Sequence, residues 1–151
     1  MNSPDAIQLS FEVGCSREHA FATWTEKFST WWPTDHTVSG LNTARVELQP
    51  RLGGTIRELL PDGSQHTWGE VTLWSPPECL GYRWHLGRDP SAATDVRIRF
   101  SEVAGGRTRI DIEHIGWAAQ GEDGAVWRAR NAGGWHSLLP HLTAALQAGI
   151  R

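Results

Sequence analysis

Two ionisable residues interrupt stretches that otherwise alternate like the apolar face of a sheet. Glu58 shares a face with Ile56, and His114 shares one with Ile110 and Ile112, because successive strand residues point to opposite sides. A carboxyl and an imidazole in such places have two readings. Each is either a satisfied core group or strand end, or one of the few polar groups that orient a guest in an apolar pocket. In the second reading Asn131, from a helical stretch, joins them. Any chemistry would then be proton transfer by His114 or Glu58, with burial raising the glutamate pKa towards neutrality. Glu113 is no partner for His114, since as its strand neighbour it points to the opposite face.

Other chemistries lack their residues. The seven histidines show no HExxH spacing, and His136 with His141 falls at i, i+5, off one helical face. Cys15 and Cys79 have no metal-type spacing and no nucleophile elbow around them, and are expected to be buried thiols. No glycine pattern follows a strand and opens a helix, as phosphate or dinucleotide binding requires. Neither a metal nor a cofactor is therefore expected. The net charge is −3, with 13 arginines and one lysine scattered among 17 acids, which disfavours nucleic acid as a partner. Arg97, Arg99, Arg107 and Arg109 alternate as on a solvated strand face. No stretch approaches the roughly 20 apolar residues of a membrane span, and Met1 to Asp5 lacks the basic and apolar regions of a signal peptide, so a cytoplasmic location is expected.

The elements that must position these residues follow from period and punctuation. A chain of 151 residues, 39% apolar, fits one domain over 1–151. Ile7, Leu9, Phe11 and Val13 alternate as a half-buried strand. Ser16 offers an N-cap, and Ala20, Phe21 and Trp24 recur at helical spacing, predicting a helix over about 16 to 25. A second short helix reaches Trp31 and Trp32, where Pro33 stops it. An irregular loop covers 34 to 42. Six strands follow, over 44–49, 54–60, 66–74, 79–86, 94–103 and 107–116, separated by Gly- and Pro-rich turns. With Ala104-Gly105-Gly106 as the last hairpin loop, Val96 faces His114, Ile98 faces Ile112 and Phe100 faces Ile110. On the other face Arg97 meets Glu113 and Arg99 meets Asp111, predicting cross-strand ion pairs. Finally, Trp127, Asn131, Trp135, Leu138, Leu139, Leu142 and Leu146 form one helical stripe. Gly133-Gly134 and Pro140 leave open whether this is one kinked helix or two shorter ones.

Strand, two short helices, six strands and a final helix form an α+β order in which one helix must cover a whole twisted sheet. The words Phe28 to Trp32-Pro33, Gly53-Gly54-Thr55-Ile56-Arg57-Glu58, Trp68-Gly69-Glu70-Val71, Trp74-Ser75-Pro76-Pro77, Leu80 to Trp84, Glu113-His114-Ile115-Gly116-Trp117 and Gly134-Trp135 occur in order along nearly the whole chain. On these words the chain resembles the SRPBCC superfamily, the fold of START lipid-transfer and birch-pollen-allergen-like proteins, and within it the branch named after the activator of the Hsp-90 ATPase. The resemblance implies a helix-grip fold, a seven-stranded antiparallel sheet curled around a long C-terminal helix with two short helices after strand 1. It does not imply a substrate, because this scaffold hosts transfer proteins, cyclases, hydratase-like enzymes and co-chaperones.

Nine tryptophans complete the expectation. Trp84, Trp127 and Trp135, with Trp32 at the mouth, are placed on a pocket wall, and Trp68 and Trp74 on the opposite sheet face or its edge. A dry void of roughly 300 Å³ would cost about 7 kcal/mol, so a real pocket needs water on polar groups or an apolar guest. The leading expectation is a binding protein for a small apolar or aromatic molecule, held in an internal cavity by Phe28, Trp32, Glu58, Tyr82, Trp84, Ile98, Ile112, His114, Trp127, Asn131 and Trp135. A cyclase, hydratase or hydrolase using His114 and Glu58 ranks second. A chaperone partner, implied by the branch name, ranks last, since 151 residues leave no room for a further chaperone-binding domain. A monomer or homodimer is expected.

Overall fold

The computed structural model describes residues 6–148; the outer ends of the expected 1–151 domain, with the Met1 to Asp5 segment, lie outside the described residues. Strand β1 spans Ile7–Val13. Helix α1, Arg17–Thr25, starts where the Ser16 hydroxyl accepts from the His19 amide at 3.1 Å. Glu18 in its first turn complements the helix dipole. Helix α2, Phe28–Trp31, ends because Trp32 precedes Pro33 and turns extended. Strands β2 (Arg45–Leu48), β3 (Thr55–Leu59), β4 (Gln65–Ser75), β5 (Cys79–Trp84), β6 (Thr94–Val103) and β7 (Arg107–Ile115) follow. Helix α3, Gly124–Ala148, closes the order.

The seven strands form one antiparallel sheet in the order β1-β7-β6-β5-β4-β3-β2, curled around α3 as a helix-grip half-barrel. Helix α3 runs unbroken through Gly133, Gly134 and Pro140, so the two-helix alternative falls. It buries Trp135, Leu138, Leu142 and Leu146, spaced three and four residues apart on one face. The inner face of the sheet is built in rows. One runs Ile7, His114, Val96, Tyr82, Val71, and the next Leu9, Ile112, Ile98, Leu80, Trp74. Burying each such large side chain stabilises the fold by roughly 1.5–3 kcal/mol, so two filled rows account for much of the drive to close the sheet on the helix.

The β6–β7 register is the expected one at Val96, Ile98, Phe100, Arg97 and Arg99. The ion pairs predicted with it do not form. Asp111 instead accepts from its same-strand neighbour Arg109 at 3.1 Å, and among the described residues Arg97 and Arg99 make no ion pair. On an exposed face, water competes with each pair and the ordering of two long side chains opposes it.

Strand β4 corrects the alternation. Its pairing slips twice, once opposite Ile56/Arg57 and once between Val71 and Leu73, and each extra residue reverses which face the next one meets. Trp68 is consequently buried inside and Trp74 packs edge-on against Phe21 at 5.1 Å, not on the outer face. Leu73 pairs with Gly81 in the outward rows. Gly69 lets the first slip occur, because a Cβ there would lie 2.0 Å from the Arg83 carbonyl oxygen.

Candidate functional site

The expected pocket residues divide into three places. Glu58 and His114 are both fully buried, on separate strands, and neither lines the aromatic cleft at the end of the helix grip. Phe28, Tyr82, Ile98 and Ile112 are core side chains that do not line this cleft. Trp32, Trp84, Trp127, Asn131 and Trp135 do come together, around this cleft of about 250 Å³.

Glu58 lies near one edge of the sheet, paired across the ladder with Val46 and His66. Its carboxylate accepts from the Val38 amide at 2.6 Å, the Ser39 amide at 3.2 Å, the Ser39 hydroxyl at 2.8 Å and the Trp68 indole at 3.0 Å. Burial pushes this carboxyl up, but the donors from Ser39, Val38 and Trp68 outweigh it and hold the pKa below its ordinary value. The expected rise towards neutrality is therefore reversed. Glu58 stays charged and pins the 34–42 loop to the sheet.

His114 is satisfied in a different way. Trp135 Nε1 donates to His114 Nδ1 at 3.1 Å, and an indole can only donate, so Nδ1 keeps its lone pair and the proton resides on Nε2. Nε2 then donates to Thr94 Oγ1 at 2.6 Å, and Thr94 passes its own proton towards the Trp84 carbonyl at 3.3 Å. Trp117 covers the imidazole, 4.5 Å between ring centroids, and donates its indole N–H to the His114 carbonyl at 3.0 Å. Gly116, at φ +105°, folds the chain back for that contact. Burial drives the His114 pKa down to about 3, so the ring is neutral in the fold at ordinary pH. Neither group has an unoccupied position facing a guest.

The space between helix and sheet is filled rather than hollow. Trp32 stacks on Phe28 at 5.0 Å and touches Trp68 and Trp84, each at 5.4 Å, while Trp24 packs on Trp31 at 5.3 Å and Trp135 at 6.1 Å. In place of the expected internal cavity, an open cleft remains at one end, between α3, the end of β5 and the Thr34–His36 turn. Trp32, Trp84, Trp127 and Trp135 wall it, with Leu86 and Leu138. His36, Thr37, Arg130 and Gly134 also reach it, and none of these was among the expected residues. Arg130 and Gly134 follow Trp127 at helical spacing, a signal that could have found them; the loop residues carry no such period. A larger hollow, about 470 Å³, lies on the outer sheet face among Arg97, Arg99, Arg109, Asp111 and Glu113. Its walls are solvated strand side chains without an aromatic ring, so the cleft is the better site. Among the described residues, no three His, Cys, Asp or Glu gather as a metal site, and no helix is long and apolar enough to cross a membrane.

The fold is shared with known proteins. CalC from Micromonospora echinospora, described as a self-sacrificing resistance protein, is 28% identical, with a TM-score of 0.73 and 97% of each chain covered. Txn09, described as an anthrahydroquino-gamma-pyrone synthase, is 26% identical, with a TM-score of 0.56, 86% of this chain and 89% of the other covered. The Aha1 dimer from Colwellia psychrerythraea shares the fold at 19% identity, with a TM-score of 0.68, 97% of this chain and 98% of the other covered. A comparison with curated proteins finds no match. The model of the family described as activator of Hsp90 ATPase homolog 1-like protein matches residues 14–147, and the chain belongs to that family, on an SRPBCC-type helix-grip fold.

Proposed function

We propose that the protein binds a small aromatic molecule in the cleft at the open end of the helix grip. The observation that carries this reading is the cleft itself. Four tryptophans converge on about 250 Å³, just below the range of roughly 300–1,000 Å³ common for small-molecule sites. Two relatives above 25% identity, one described as a synthase and one as a resistance protein, fit a family member that handles a small molecule. Catalysis by Glu58 and His114 loses support, because both are saturated by internal partners away from the cleft. A chaperone partner draws support only from the family description. A cytoplasmic setting agrees with Cys15 and Cys79 as buried free thiols.

Native mass spectrometry of the freshly purified protein, followed by titration with fused-ring aromatics, tests the reading and reports subunit count together with bound mass. Binding should shift tryptophan emission, and Trp127→Ala should weaken it about tenfold, the equivalent of roughly 1.4 kcal/mol, with little loss of fold because Trp127 is only half-buried. No bound mass and no emission change across the series would sink the proposal.

A further inference from the structure

Apolar walls leave selectivity to the polar groups of the cleft that lack an internal partner. Most are already engaged. The indole N–H of Trp32 donates to the His36 carbonyl at 3.0 Å, and that of Trp135 to His114. The Thr37 hydroxyl donates to the Thr34 carbonyl at 2.6 Å and accepts from the Gly40 amide at 2.9 Å. Asn131 turns its amide nitrogen back to the Trp127 carbonyl at 2.9 Å, and His36 Nδ1 is held by Asp35 at 2.8 Å.

Among the cleft groups left without a hydrogen-bond partner, Arg130 is the one that carries a permanent charge. Its guanidinium carbon lies 5.0 Å from the centroid of the Trp127 ring, and among the described residues it makes no hydrogen bond or ion pair. A cation over an indole face is held by the ring quadrupole while its N–H groups stay available around the rim. Arg88 adds a second cation at 4.1 Å from the same ring, although it also donates to Gln120 Oε1. No Asp or Glu lines the cleft, and the Asp35 side chain beside it is 82% exposed and turned to His36. In a chain of net charge −3, the cleft wall thus carries an arginine and no carboxylate. Such a cleft, with low-dielectric aromatic walls, concentrates anions of complementary shape.

We infer that the guest is a flat aromatic anion, its ring system against Trp84 and Trp127 and its carboxylate or phenolate oxygens on Arg130. The inference rests on the binding role proposed above and adds the chemical class. A planar guanidinium meets a carboxylate with two parallel N–H bonds, which a neutral isostere of the same shape cannot match in charge.

Calorimetric titration with 2-naphthoate and the neutral 2-naphthamide separates the possibilities. The wild-type chain should bind the carboxylate roughly tenfold more tightly than the amide, with the preference shrinking as salt is added. Arg130→Gln should bring the two affinities together, and Trp127→Ala should weaken both. Equal affinities in the wild type, or a preference that survives Arg130→Gln, would overturn the assignment to Arg130 while the aromatic cleft stands. Failure of both compounds to bind would overturn the cleft reading and this inference together.

Discussion

Glu58 and His114 occupy equivalent kinds of position, fully buried on the inner face of one sheet, yet the fold keeps the first charged and the second neutral. The difference lies in what faces each group. Glu58 meets only donors, two amides, a hydroxyl and an indole, and such a set stabilises a carboxylate against desolvation. His114 meets one pure donor at Nδ1 and a hydroxyl at Nε2, which together suit a single neutral tautomer. Burial alone therefore does not foretell whether a buried ionisable group is poised for chemistry. The partner set decides, and here both sets are complete without a ligand.

Removing one side of this comparison gives the largest expected effect. Glu58→Ala would leave the Val38, Ser39 and Trp68 donors without their acceptor and cost about 3 kcal/mol in a urea melt. Hydrogen exchange at the Val38 and Ser39 amides should speed up at the same time. An unchanged midpoint would show that the carboxylate does not anchor the 34–42 loop.

Acid should act on both groups in the same direction. The His114 ring takes a proton in the unfolded chain below about pH 6.5, but in the fold only near about 3. Stability is thus lost as pH falls through that window, by about 1.4 kcal/mol per unit for this group. Glu58, with its folded pKa depressed, adds stability that is present above its unfolded value and is lost as pH falls through the lower folded value. Trp135→Phe separates the two, since it strips the donor from His114 Nδ1 and leaves Glu58 untouched. It should cost about 1 kcal/mol at neutral pH and move the acid transition to higher pH. An imidazole titrating near its ordinary value in the wild type, followed by NMR, would break the comparison.

The smallest effect is expected on the outer face. Arg97→Ala should change stability by no more than about 0.5 kcal/mol, because the register there is held by the apolar inner rows and no ion pair reinforces it. A loss several times larger would assign the arginine face a structural part that the geometry does not give it.

Much of this architecture is legible in local pattern. Alternation from Ile7 to Val13, the Ser16 cap, Pro33, the β6–β7 register and the stripe from Trp135 to Leu146 all act within a few residues or across one short loop. For the same reason the face of Glu58 and His114 could be read from period alone. The face of Trp68 and Trp74 could not, because two bulges in β4 reset a count that alternation assumes unbroken. The Ser39 clamp on Glu58 and the arrival of His36 and Thr37 at the cleft come from a loop with no period to read.

By itself, then, the sequence determined the order of elements, the hairpin register, and a surplus of indoles and two ionisable groups on the inner face. These depend on side-chain periodicity and turn chemistry, which are local. Tertiary structure alone decided that the indoles fill the grip and leave an open cleft, that Glu58 and His114 serve as sealed anchors, and that Arg130 stands over Trp127 at the rim. Those outcomes depend on contacts between segments distant in the chain, where packing and desolvation are settled only once the sheet has closed around the helix.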